Sequence, residues 1–93
     1  MTKRQLINVI HGMLKTDCYS VLWADYYGSV YESEFESRKE AVSAGVRNPI
    51  CLVEFYNADS DCRTDCFYGE NEMQCLWSLY RLLVSERQHE RRR

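Results

Sequence analysis

The stretch Met73-Gln74-Cys75-Leu76-Trp77-Ser78-Leu79-Tyr80-Arg81-Leu82-Leu83-Val84 decides how the rest of the chain is read. Nine of its twelve residues are apolar or aromatic, and the exceptions, Gln74, Ser78 and Arg81, recur at i, i+4 and i+7, with Ser85 extending them. On a helix these four make one narrow polar line. An ordinary surface helix buries an apolar stripe about 100° wide and wets the rest. This segment is apolar over most of its girth, so it needs packing partners on two sides. In a chain of 93 residues the second partner is expected to be another molecule, met through Leu79 and Leu82.

Upstream, the same helix-start punctuation occurs three times. Thr2-x-x-Gln5, Ser37-x-x-Glu40 and Asn71-x-x-Gln74 each place a capping side chain three residues before Glu or Gln, an arrangement that satisfies orphan amide donors at a helix start. Leu6, Ile7, Ile10, Met13 and Leu14 follow the first cap at helical spacing. Ala41, Val42 and Ala44 follow the second until Gly45, a stop, with Pro49 barring continuation. The third cap begins the apolar helix.

Between the helices lie strand-like segments. Cys18–Tyr26 and Val30–Phe35 are rich in β-branched and aromatic residues around Gly28-Ser29, which predicts a hairpin. Tyr19, Val21 and Trp23 alternate with Ser20, Leu22 and Ala24, so neither face is purely polar. Ile50–Tyr56 reads as a central strand, and Cys66–Tyr68 as a brief further one. The order α-β-β-α-β-(β)-α predicts one small α+β domain over 1–93, with a mostly antiparallel sheet of three or four strands packed by helices. Residues 87–93 are expected to form a frayed basic tail.

The net charge of −2 hides a segregation. Residues 1–15 and 81–93 each carry +3, whereas 16–80 hold twelve acids against four bases, for −8. An acidic body repels nucleic acid and steers basic protein faces towards itself. Asp25, Tyr26, Tyr27, Tyr31, Glu32 and Glu34 gather at the hairpin, where tyrosines can anchor an interface and carboxylates can steer it.

Catalytic and metal chemistry find little purchase. Asp59, Asp61, Asp65 and Glu70 fit a calcium-loop register at its acids, but Arg63 and Thr64 occupy its fifth and sixth positions, where the loop needs a ligand and a glycine. Cys62-x-x-x-Cys66 has zinc-ligand spacing without the second close pair a closed site needs. His11 and Cys18 could form an activated thiol pair, but a histidine bordering an apolar helix face is expected to pack. No phosphate loop, nucleophile elbow or His-Glu-x-x-His motif occurs. The five cysteines are read as reduced thiols, and no cofactor or metal is expected.

These features predict a cytoplasmic, non-enzymatic protein that binds another protein with a basic groove, in the manner of phage or mobile-element accessory proteins that inhibit host nucleic-acid machinery. Two alternatives share the sequence. One is a nucleic-acid-binding regulator using Arg81, Arg87, Arg91, Arg92 and Arg93. The other is a homodimeric scaffold joined through the last helix. No apolar run approaches the roughly 20 residues a membrane span needs.

Overall fold

The computed structural model describes the backbone of residues 1–27, 30–59 and 63–91, and the side chains of 1–25, 33–59 and 67–88. The order is α1 (Lys3–Leu14), β1 (Cys18–Tyr27), β2 (Val30–Phe35), α2 (Arg38–Ser43), β3 (Ile50–Tyr56), β4 (Arg63–Gly69) and α3 (Glu72–Arg91). The expected α+β architecture is present. The strands form one antiparallel sheet in the order β2-β1-β3-β4. The fourth strand is longer than the expected Cys66–Tyr68. The hairpin turn at Gly28-Ser29 and the Cys62 position lie outside the described residues.

Local chemistry sets the boundaries. The Thr2 hydroxyl accepts from the Gln5 amide while the Gln5 side chain accepts from the Thr2 amide, a complete capping box. Ser37 caps α2 through the Glu40 amide at 3.1 Å, and Asn71 caps α3 through the Gln74 amide at 2.8 Å. The α2 helix stops where Gly45 takes φ +100°; the Gly45 amide donates to Val42 and the Val46 amide to Ala41. That pair of bonds satisfies the last carbonyls of a helix ending in a left-handed residue.

Both sheet faces are used. Tyr19, Val21 and Trp23 of β1 lie in register with Phe55, Val53 and Cys51 of β3 and face the helices α1 and α3. Ala24, Leu52 and Glu54 point to the other face and are also buried, which accounts for the mixed alternation along β1. Leu6 and Ile10 from α1, Leu76, Leu79 and Leu83 from α3, and Phe55 from β3 make the main core cluster. Each such side chain contributes about 1.5–3 kcal/mol by leaving water.

This cluster corrects the expectation for the last helix. Its second packing partner is α1 of the same chain, and Leu79, expected on an outer binding face, is fully buried. A helix wedged between a sheet and a parallel helix is covered over a wide arc. Residues 87–91, expected in a frayed tail, continue α3.

Glu72 ties three elements together. Its Oε2 accepts from the Tyr19 hydroxyl of β1 at 2.6 Å, and its Oε1 pairs with Lys3 Nζ of α1 at 3.2 Å. The carboxylate also sits in the first turn of α3, where the helix dipole favours negative charge. Gly69 permits this approach: a Cβ there would lie 2.9 Å from Cys75 Sγ and 2.8 Å from Gln74 Oε1.

Candidate protein-binding surfaces

The acidic hairpin occupies one edge of the sheet. Asp25 is partly buried opposite Ser33, whereas Ser33, Glu34 and Glu36 around the end of β2 are exposed or partly exposed, with Glu34 paired across from Ala24. The ladder pairs Asp25 with Ser33 and then Tyr26 with Tyr31, so Glu32 is an extra residue on β2. This bulge interrupts the two-residue alternation of the strand at that point. The side chains of Tyr26, Tyr27, Tyr31 and Glu32 lie outside the described residues. As an outer strand, β2 leaves one side of its backbone unpaired by the sheet, the feature that invites an added strand from a partner.

The helical surface differs from the one read in the sequence. Leu82 is 46% exposed, whereas Leu79, three residues earlier, is completely covered. Gln74, Ser78, Arg81 and Ser85 form the expected exposed polar line. Between that line and the core runs a row that sequence reasoning missed: Met73, Trp77, Tyr80 and Val84, all partly buried. Its step of four, three and four residues was the available signal. Exposed Val9 and partly buried Met13 of α1 adjoin Tyr80 and Val84. Of the arginines considered for nucleic acid, Arg81 and Arg87 are exposed. Six residues apart, they project about 120° from each other around the helix. The Arg91 side chain, Arg92 and Arg93 lie outside the described residues.

The residues with reactive chemistry have structural partners. His11 Nδ1 lies 3.0 Å from Thr16 Oγ1, and its ring meets Phe55 edge-on at 5.0 Å. Burial, aided by a hydrogen bond with Asp17, pushes the Cys18 thiol up from its ordinary value, the opposite of nucleophile activation. Cys51 and Cys75 are fully buried, and Cys75 Sγ donates to the Cys51 carbonyl at 3.5 Å. The contact with Cys75 and burial hold the Cys51 thiol up, so it remains protonated. Glu54, 2% exposed, accepts from Ser20 Oγ at 3.5 Å. Among the described residues, no group of three or more His, Cys, Asp or Glu side chains is placed to hold a metal ion. Cys62 and the side chain of Cys66 lie outside the described residues. Among the described residues, no helix is long and apolar enough to cross a membrane.

A cleft of about 710 Å³ opens where β3 begins and β4 ends, between Arg38, Asn48, Tyr68 and Glu70. Arg38 and Glu70 bring opposite charges to its lining. Comparison of the chain with protein-family models, curated proteins and solved structures finds no match in any of the three.

Proposed function

We propose that this chain is a non-enzymatic binding module that docks on a basic surface of another protein through its acidic β1–β2 hairpin. The observation that carries this reading is the position of β2 as an outer strand, with exposed Glu34 on it and exposed Glu36 just past its end. An unpaired strand edge supplies main-chain hydrogen bonds, and carboxylates beside it select a cationic partner. The −8 charge of residues 16–80 reinforces the selection by drawing cationic surfaces towards this region. Tyr26, Tyr27 and Tyr31 add aromatic anchors by their place in the sequence. Inhibition of host nucleic-acid machinery by a phage or mobile-element accessory protein is the specific form proposed, because a basic groove built for nucleic acid is the target such an edge would occupy.

Co-purification from native cells tests the reading. One stoichiometric partner is expected with the wild-type chain, and its loss with Glu32→Lys/Glu34→Lys, in a variant whose circular dichroism is unchanged. Equal recovery by that variant would contradict the proposal. Retention on duplex DNA at moderate salt, abolished by deleting Arg91–Arg93, would instead support the nucleic-acid regulator.

A further inference from the structure

Met73, Trp77, Tyr80 and Val84 share one seam of α3, beside the parallel helix α1. The helices run parallel because Lys3 meets Glu72 at their starts, while Val9 and Met13 adjoin Tyr80 and Val84 further along. Two shallow furrows follow this seam. One, of about 280 Å³, lies between α1 and the Tyr80–Val84 segment; the other, of about 320 Å³, runs against Met73 and Trp77. Trp77 and Tyr80 pack edge to face with ring centroids 5.6 Å apart, so the two furrows share an aromatic ridge.

The composition of this face is that of an interface core. Aromatics, methionine and arginine are enriched in such patches, and lysine and carboxylates are depleted. Among the described residues, the charged side chains lining the furrows are Arg81 and Arg87, both exposed. Among the described residues, no carboxylate lines either furrow, although the rest of the described molecule is rich in them.

We propose that this seam binds an amphipathic helix with carboxylates on its flanks, supplied by a partner protein. Elongated furrows beside a helix seam fit a helix laid in a groove and anchored by apolar residues at i, i+3 or i+4 and i+7. The two arginines set the sign of the flanking charge. A second copy presenting the same face would bring Arg81 and Arg87 towards cations, with no carboxylate among the described seam residues to meet them. The seam therefore complements the hairpin: one surface selects cations and the other selects anions.

The test uses a fluorescently labelled synthetic peptide of about five helical turns, with leucines on one stripe and glutamates on its flanks. Its twin carries lysine in place of every glutamate. Anisotropy should show binding of the acidic peptide, with its Kd raised about tenfold or more by Arg87→Glu and by Val9→Glu. Both positions are exposed, so the variants should retain the wild-type fold. Arg87→Glu should also strengthen binding of the lysine twin, a response that simple loss of folding cannot produce. Glu34→Lys should not weaken binding of the acidic peptide, separating this seam from the hairpin. No binding of the acidic peptide, equal affinity for the twins, or indifference to Arg87→Glu would overturn the proposal. So would a dimer mass by light scattering that Val84→Glu reduces to a monomer, because a second copy would then occupy the seam.

Discussion

Leu79 and Leu82 lie three positions apart in the same helix, yet one is fully covered and the other is 46% exposed. Removing the first should therefore leave a cavity among Leu6, Ile10, Phe55 and Leu76, and removing the second should leave almost nothing behind. Leu79→Ala is expected to reduce stability by about 2–5 kcal/mol, and Leu82→Ala to change it by less than about 0.5 kcal/mol. Urea denaturation distinguishes the two; similar midpoints would place the helix in a different rotation. Gly69→Ala is expected to cost about 1–3 kcal/mol, because the added methyl meets Cys75 Sγ and Gln74 Oε1 below 3 Å. Tyr19→Phe removes a hydrogen bond to a carboxylate and should lower stability by about 1.5–3 kcal/mol. Lys3→Ala, which removes a half-exposed ion-pair partner, should lower it by no more than about 1 kcal/mol in the same assay.

At the scale of elements, what was legible in the sequence was what local chemistry controls. Thr2, Ser37 and Asn71 announce three helix starts because a cap acts over three residues. The bounds of β2 and β3 follow from their apolar, β-branched and aromatic content. The start of β4 was hidden because Arg63 and Asp65 lack that content and Thr64 is a lone β-branched residue between them, whereas pairing with β3 carries the ladder along this segment. The rotation of α3 was hidden for another reason. Both of its sides are apolar, so the choice between them is made by α1, almost 70 residues away in sequence but joined through the Lys3–Glu72 pair and the Leu6–Ile10 stripe. The hairpin acids were legible as charge, whereas the bulge at Glu32 depends on how β1 and β2 register. Cap truncation provides the corresponding test: Ser37→Ala should cost about 1 kcal/mol, measured by the shift in urea midpoint.

For the whole molecule, burial makes stability dependent on alkaline pH. Burial and the hydrogen bond to Glu72 push the Tyr19 phenol well above its ordinary value of 10.0, and burial with the hydrogen bond to Asp17 lifts the Cys18 thiol above its ordinary 9.0. Both groups therefore hold their protons more tightly folded than unfolded. Their contribution is complete below the unfolded pKa values and is lost as pH rises from about 9 upward. The urea midpoint should fall between pH 8 and about 11, and less steeply in Tyr19→Phe; an identical slope in that variant would remove Tyr19 from the explanation. Charge has the converse role, since it is segregated by region rather than balanced locally. On the proposed reading, an acidic edge strand and an arginine-flanked aromatic seam would give one small sheet-and-helix body two surfaces of opposite preference. Backbone hydrogen exchange of the chain, alone and saturated with its co-purified partner, tests the hairpin reading most directly. Slowed exchange along β2 on binding is the predicted result; unchanged β2 exchange, with protection confined to the C-terminal end of α3, would contradict it.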